Sequence, residues 1–381
     1  MKLSNWPNYK SKEIKSTKKI LISGKVNYWT GNENKLFEKK FQNYFKIKHA
    51  ITVSNGTAGL YLAVKALNLK KNSEIIVTPR SYYSSASCIL MNECIPKFTD
   101  IDLTTQNICL KNLKKNISRK TKAIICVHLN GYPCDMNEIM KIAKQKNLYV
   151  IEDCSQAHGA KINNKFVGSF GDIGVWSFCQ DKIISTSGEG GMIATSNKKF
   201  FKIIWSLKDQ GRNLDKIRKL KGNKFRYIHD YLGFNFRMTE IQAKIGNIQL
   251  SNLKDWIIKR NINASIIIKF LNQYPNIFET IQIKKEYKHA FYRLCVPLKI
   301  SKFKINILLK KCHQKGLQIS SGPCPEIYKE KEFKKIFGRK YTLNNANYLS
   351  GRTISFLVDQ TITRKKLNIF LKKFKSIISR L

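Results

Sequence analysis

Lys182 is the residue of this sequence whose surroundings best suit covalent chemistry with an aldehyde. It follows the apolar stretch 175–178 and precedes the glycine-rich run 187–191. A lysine held in an apolar pocket has a lowered pKa and acts as a nucleophile, and glycines let the backbone fold closely around a ligand. Since the chain has 70 Lys and Arg residues, a solvated loop lysine is the commoner interpretation, and the local sequence leaves both open.

Two further segments could hold a phosphate-bearing ring. The run 54–59, Ser-Asn-Gly-Thr-Ala-Gly, lies between a predicted strand and a predicted helix, where free amides and the helix dipole favour an anion. The alternative is an ordinary loop with Thr57 as the capping residue. Asp153 follows a strand that should be buried, and an unpaired buried carboxylate is costly. Its partner is either structural or a protonated ring nitrogen.

The elements that must position these residues alternate between strand and helix. Short apolar runs predict strands at 51–54, 74–78, 97–100, 123–127 and 148–153. Apolar residues that recur every three or four positions predict helices at 58–67, 84–92, 110–117 and 136–145. This alternation predicts an α/β fold with a mostly parallel central sheet flanked by helices. Functional residues should gather where the strands end.

The pattern changes after about residue 239. Two long helices are predicted at 239–250 and 253–270, followed by short strands at 290–296 and 353–358. We therefore predict a large domain over 1–250 and a smaller C-terminal α+β domain over 251–381, and leave open that the N-terminal segment packs on the small domain.

The composition is strongly basic, with 70 Lys and Arg against 25 Asp and Glu and a net charge of +45. A nucleic-acid binder is one interpretation, and a genome that places lysine at solvated positions is the other. The lysines are spread along the chain without a basic tail, which favours the second. We expect no specific nucleic-acid partner, although the positive field would attract a phosphate-bearing substrate.

Sequence features also bear on the compartment. The N-terminal residues contain no apolar signal region, no apolar run reaches the length of a membrane span, and the ten cysteines show neither CxxC pairs nor zinc-ligand spacing. We therefore expect a cytoplasmic protein with free thiols, without a membrane span or a metal site.

In order and spacing, these segments resemble the DegT/DnrJ/StrS family of pyridoxal-phosphate (PLP) dependent sugar aminotransferases, which have the type I aminotransferase fold. The resemblance extends over almost the whole chain and is carried by segments 23–31, 54–58, 98–102, 127–131, 152–159, 177–182, 188–191 and 235–240.

The resemblance implies a role for each matching residue. Lys182 matches the lysine that forms a Schiff base with PLP. Asp153 matches the aspartate that keeps the pyridinium nitrogen protonated, and Gln156 matches the residue near the ring hydroxyl. Tyr82 falls where an aromatic ring stacks on the cofactor, with Tyr83 as the alternative if the register shifts by one.

The resemblance also implies how the phosphate is held. Gly56 and Thr57 match the phosphate-binding loop, and Ser177 matches a hydroxyl donor to the same group. Asn235 matches a residue that a neighbouring subunit supplies, so a homodimer is implied.

Three positions depart from the common pattern of this family. Many members have His-Pro before the lysine where this chain has Cys179-Gln180-Asp181, and we hypothesise that the Asp181 carboxylate shifts the pKa of the aldimine formed at Lys182. Gln210 stands where histidine is frequent. Segment 322–328 is one form of a variable loop near the substrate entrance, and this departure leaves the substrate open but the implied cofactor in place.

The implied function is amino transfer, with L-glutamate as the expected donor, to a keto sugar linked to a nucleotide, for polysaccharide or other glycan synthesis. One alternative changes the acceptor to a free small ketone, a ketone phosphate or a cyclitol. Another is a non-catalytic regulator with the same fold that binds nucleic acid. The joint presence of Lys182, Asp153, Gln156 and Ser177 argues against the regulator.

Overall fold

The computed structural model describes residues 2–219, 227–322, 326–338 and 341–379. The helices are α1 (Ser11–Ser23), α2 (Glu33–Phe45), α3 (Gly56–Ala66), α4 (Ser84–Leu90), α5 (Leu110–Asn116), α6 (Met136–Lys146), α7 (Lys198–Lys208), α8 (Leu214–Lys219), α9 (Glu240–Leu271), α10 (Lys302–Gln314), α11 (Lys331–Phe337), α12 (Asn344–Leu349) and α13 (Arg364–Ile378). The strands are β1 (His49–Val53), β2 (Glu74–Val77), β3 (Ile95–Phe98), β4 (Thr121–Val127), β5 (Tyr149–Asp153), β6 (Lys161–Ile162), β7 (Lys165–Phe166), β8 (Ile173–Ser177), β9 (Gly191–Thr195), β10 (Tyr287–Lys288), β11 (Leu294–Pro297), β12 (Ile319–Ser321) and β13 (Thr353–Phe356).

Seven strands form the central sheet in the order β1-β9-β8-β5-β4-β2-β3. The pairs from β8 through β3 are parallel, whereas β9 runs antiparallel to both β1 and β8. The predicted α/β fold with a mostly parallel sheet is therefore confirmed.

Helices cover both faces of this sheet, which explains why its strands are apolar along their length. On β8, Val175 packs into the core on one face, while Trp176 packs into the core on the other. In α2, the rings of Phe37, Phe41 and Phe45 recur every four residues and are fully buried in that second core. The Phe41 ring lies 4.9 Å from the Trp176 ring, edge to face. This packing fixes the strand that leads into the loop carrying Lys182.

The C-terminal part contains a separate three-stranded antiparallel sheet in the order β11-β13-β12. Its apolar side chains form a core with α10, α13 and the second half of α9. Leu3 belongs to the same core, and the amides of Leu3 and Ser4 both donate to the Gln318 side chain. The N-terminal segment thus contacts the C-terminal part.

The two helices predicted at 239–250 and 253–270 are wrong, because α9 is a single helix of 32 residues. Ser251 and Asn252, which lie at the predicted break, donate their side chains to the carbonyls four residues earlier. Such bonds keep polar residues compatible with a continuous helix. The domain boundary predicted near 250 falls inside this helix.

The strand predicted at 290–296 begins only at Leu294. Phe291 has a left-handed backbone with φ of 48°, and a strand cannot continue through that conformation. Residues 290–293 therefore form a bend that leads into β11. No helix within the described parts of the chain is both long enough and apolar enough to cross a bilayer.

Candidate active site

The candidate site lies where β4, β5 and β8 end side by side. Val127 is opposite Asp153 and Asp153 is opposite Val175 in the parallel ladders. The loops after these strands and the sheet of the C-terminal part enclose a cavity of about 820 Å³. This is the position at which open α/β sheets bind their ligands.

The cavity brings together seven of the eight residues predicted from the sequence. These lining residues are Gly56, Thr57, Tyr82, Asp153, Gln156, Ser177 and Lys182. The eighth, Asn235, is exposed and lies outside the cavity. The roles of all eight residues remain predictions.

The N-terminus of α3 forms one end of the cavity. Asn55, not Thr57, is the capping residue, because its side chain accepts from the Ala58 amide at 2.8 Å. The amides of Gly56 and Thr57 lie in the first turn of α3, where amides have no partner within the helix. Amides at this end of a helix favour the binding of an anion. A Cβ atom on Gly56 would lie 2.6 Å from the Cβ of Ser177. Glycine therefore allows the helix to approach the Ser177 hydroxyl closely.

Asp153 ends β5 with only 4% of its surface exposed. One carboxylate oxygen accepts from the Ser85 hydroxyl at 2.8 Å, and the other accepts from the Ser155 amide at 3.1 Å. No Lys or Arg is among the ion-pair partners of Asp153 in the described residues. These two bonds fix the orientation of the carboxylate at the cavity wall. A protonated ring nitrogen in the cavity would pair with it there.

Gln156 and Tyr82 form two other parts of the wall. The side-chain oxygen of Gln156 accepts from the Asn130 amide at 2.7 Å, which fixes the direction of its amide group. Tyr82 lines the cavity with a ring that is 69% exposed. Tyr83 instead places its ring 5.4 Å from that of Phe333 and does not line the cavity. The geometry therefore favours Tyr82 over the alternative, Tyr83.

Lys182 is held in a charged network and not in an apolar pocket. Its amine lies 3.5 Å from the Asp181 carboxylate and 4.8 Å from the centre of the Tyr292 ring. Burial lowers the pKa of this amine, but Tyr292 and Asp181 outweigh burial and raise the pKa above its ordinary value. The lowered pKa expected from the sequence is therefore wrong.

The backbone of Lys182 is fixed as well. Its amide donates to the Cys179 carbonyl at 3.0 Å, and its carbonyl accepts from the indole of Trp6 at 2.8 Å. The N-terminal segment thus contributes to the position of the lysine, a contact that no local motif signals.

Several cavity residues come from the C-terminal part and were not predicted as site residues. The Tyr292 hydroxyl donates to Asp181, and Arg293 lies 3.6 Å from the same carboxylate. Cys295, Ser355 and Ser320 form a row across three adjacent strands and also line the cavity. The sequence shows these as parts of short strands only, so only the tertiary structure identifies the surface they face.

Asn235 lies between a buried polar network and an exposed apolar side chain. It forms a bridge with Asp209, which is fully buried and accepts from Arg237 at 2.6 Å. Leu232, three residues earlier, is 96% exposed. The nearby Gln210 is exposed and does not line the cavity. Of the variable loop 322–328, Gly322 lines the cavity and residues 323–325 lie outside the described residues.

The donor set of the cavity fits PLP. It offers helix amides and a serine hydroxyl for a phosphate, a buried carboxylate for a ring nitrogen, an amide for a ring hydroxyl and a lysine for an aldehyde. The glycine at position 56 keeps the α3 amides and the Ser177 hydroxyl close together, because any larger side chain would collide with Ser177.

Comparison with known proteins agrees with this geometry. The sequence model of one family, described as the DegT/DnrJ/EryC1/StrS aminotransferase family, matches residues 7–374. GDP-perosamine synthase of Escherichia coli O157:H7 is 40% identical over 262 residues, which cover 69% of this chain and 68% of that protein. dTDP-3-amino-3,6-dideoxy-alpha-D-galactopyranose transaminase of Aneurinibacillus thermoaerophilus is 37% identical over 245 residues, which cover 64% of each chain. The crystal structure of an aminotransferase from Psychrobacter cryohalolentis superimposes with a TM-score of 0.95 at 35% identity, covering 100% of this chain and 99% of that one.

Proposed function

Since the chain belongs to the DegT/DnrJ/EryC1/StrS aminotransferase family and is thus a PLP-dependent aminotransferase, we propose that it aminates a keto sugar linked to a nucleotide. The observation that carries the proposal is the cavity itself, in which Lys182, Asp153 and the α3 N-terminus converge. Two relatives are named for nucleotide-linked amino sugars. Those names support an acceptor of the same chemical class, used for glycan synthesis.

Each residue of the proposed mechanism has a distinct task. PLP, when bound, supplies an electron sink for the bond that is broken at the amino-bearing carbon. The amides of Gly56 and Thr57 and the hydroxyl of Ser177 hold the phosphate. Asp153, oriented by Ser85, keeps the ring nitrogen protonated. Gln156 bonds the ring hydroxyl, and Tyr82 covers one face of the ring.

Lys182 has two tasks in this mechanism. Its amine would hold the cofactor, and with an amino donor in the cavity the same amine would take up and return the proton at the reacting carbon as a general base. L-Glutamate is the proposed donor. The same residues would serve the keto acceptor, so that the amino group would end on the sugar and the donor would leave as its keto acid.

We also propose that the active enzyme is a homodimer in which Asn235 completes the phosphate site of its partner. Asn235 is exposed and lies outside the cavity of its own chain. The exposed apolar side chains of Tyr231 and Leu232 precede it, and such groups favour a protein contact. The nine described cysteines are free, which supports a reducing, cytoplasmic location.

A two-stage assay tests the function. Holoenzyme and L-glutamate are mixed, and the absorbance change that accompanies transfer of the amino group to the cofactor is followed. The aminated enzyme is then offered nucleotide-linked keto sugars, free ketones, ketone phosphates and a keto cyclitol in parallel. We expect turnover with the nucleotide-linked class. Turnover with only free ketones would overturn the proposed acceptor class. A protein that shows no absorbance of bound cofactor after PLP is added would contradict its function as an aminotransferase.

A further inference from the structure

Arg293 is the cavity residue for which the proposed mechanism has no task. Among the described residues that line the cavity, only Lys182 and Arg293 are Lys or Arg. The chain has 70 such residues. The presence of only two at the cavity indicates that each of the two has a specific role there. Arg293 lies in the bend before β11, and 30% of its side chain is exposed.

One carboxylate links this arginine to the reactive lysine. The Oδ1 atom of Asp181 lies 3.5 Å from the Lys182 amine, and its Oδ2 atom lies 3.6 Å from the Arg293 guanidinium. The Tyr292 hydroxyl also donates to Oδ2. At 3.6 Å the arginine contact is an ion pair that is longer than a good hydrogen bond. The planar guanidinium matches a carboxylate far better when it binds both oxygens.

We propose that Arg293 binds the α-carboxylate of the amino donor and that Asp181 takes its place when the uncharged sugar ring is bound. The inference rests on the proposed function. An aminotransferase must accept a charged amino acid and a neutral ring at the same reacting atoms. A local carboxylate lets Arg293 stay paired in both states, because a largely buried charge without a partner is costly.

Geometry favours a carboxylate over the diphosphate of a nucleotide sugar. Asp181, a single carboxylate, already spans the gap between Lys182 and Arg293. In an α-amino acid only one carbon separates the amine from the carboxylate. A donor whose nitrogen takes the place of the lysine amine therefore brings its carboxylate to this gap. In a nucleotide sugar the diphosphate is attached at the anomeric carbon, away from the ring carbon that carries the ketone.

The experiment compares holoenzymes with the substitutions Arg293→Gln and Arg364→Gln. Arg364 is exposed at the start of α13, so its variant removes the same charge far from the cavity. Titration calorimetry measures the binding of 2-oxoglutarate, which does not react with the PLP form, and of GDP as a diphosphate probe. Cofactor absorbance and Tm confirm that each variant is loaded and folded.

We expect Arg293→Gln to weaken 2-oxoglutarate binding about 10- to 100-fold, as for lost charge-assisted hydrogen bonds, while GDP binding stays unchanged. Arg364→Gln should match the wild type with both probes. Unchanged 2-oxoglutarate binding, no measurable 2-oxoglutarate binding by the wild type, or a loss confined to GDP would overturn the inference. If the wild type accepts no amino group from any amino acid, the proposed function fails instead, and that result is separate from the calorimetry.

Discussion

At the scale of the residue, Asp181 distinguishes the surroundings of Lys182 from those of a lysine that has no carboxylate beside it. Burial raises the pKa of the Asp181 carboxyl, but Lys182 and the Tyr292 hydroxyl outweigh burial and hold that pKa below its ordinary range. The carboxylate is therefore ionised at neutral pH and stabilises the protonated form of the lysine. A protonated amine cannot attack an aldehyde, so we expect the ion pair of Asp181 and Lys182 to slow loading of the cofactor.

Replacing Asp181 with asparagine should accelerate loading of the apoprotein with PLP. The pKa of Lys182 is raised in part by Asp181; without the carboxylate that pKa falls, and the neutral fraction at neutral pH increases. We expect a faster rate, because a lower pKa increases the fraction of Lys182 that is neutral and able to attack the aldehyde. Stopped-flow absorbance after PLP addition measures it.

The matched control for this prediction is Glu189→Gln. Glu189 also lines the cavity, and the substitution removes the same charge without changing a group that raises the pKa of Lys182. Equal acceleration in both variants would mean that net charge, and not the contact with Asp181, sets the rate.

At the scale of the element, helix α3 combines a structural cap with a proposed binding role. Its cap residue, Asn55, accepts from the Ala58 amide, and we propose that the amides of Gly56 and Thr57 bind the phosphate. Helix α7 has the same type of cap, since Asn197 accepts from the amides of Lys199 and Phe200, but Asn197 does not line the cavity.

We predict that Asn55→Ala and Asn197→Ala lower the free energy of unfolding of the apoprotein similarly, by about 1 kcal/mol. Only Asn55→Ala should also weaken PLP binding, because only α3 directs its first amides into the cavity. Urea unfolding followed by circular dichroism gives the first quantity, and fluorescence titration with PLP gives the second. Equal PLP affinity in the two variants would remove α3 from the phosphate site.

At the scale of the whole molecule, the proposed dimer divides each site between two chains. Lys182 would act in the cavity of its own chain and Asn235 in that of its partner. Lys182→Ala and Asn235→Ala homodimers should therefore both have low activity. A mixture that exchanges subunits forms heterodimers with one complete site, and we expect about a quarter of the wild-type activity in a random equal mixture.

Two measurements check the complementation. Light scattering after size-exclusion chromatography gives the oligomeric state, and the activity of each variant is assayed before and after mixing. The control mixture pairs Lys182→Ala with Asp153→Asn, both of which lie in the same cavity; it should not recover activity to the same extent. No gain in the first mixture, with subunit exchange demonstrated by mass labels, would place Asn235 outside the partner's site.

Much of this fold could be predicted from the sequence because its signals are local. Buried parallel strands are short apolar runs, so Asp153 could be placed at the end of a strand from the sequence. Ser177, by contrast, was predicted as a site residue only through the family resemblance. Tyr292 and Arg293 could not be placed, because they reach the cavity from a bend more than a hundred residues after Lys182. The direction of the Lys182 pKa shift was missed for the same reason, since burial is its largest single cause and is exceeded only by the combined effects of Tyr292, Asp181 and Cys179. Helix α9 continues through Ser251 and Asn252, whose side chains bond to carbonyls of the same helix, and composition does not show such bonds.

We propose that Lys182, among all the lysines of this basic chain, carries the cofactor. Holoenzyme is reduced with borohydride, which makes the bond between a lysine and PLP permanent, and is then digested and analysed by peptide mass spectrometry. We expect one major phosphopyridoxyl adduct, at Lys182, and its loss in Lys182→Ala. A major adduct at another lysine, or an adduct that persists in Lys182→Ala at wild-type yield, would contradict it.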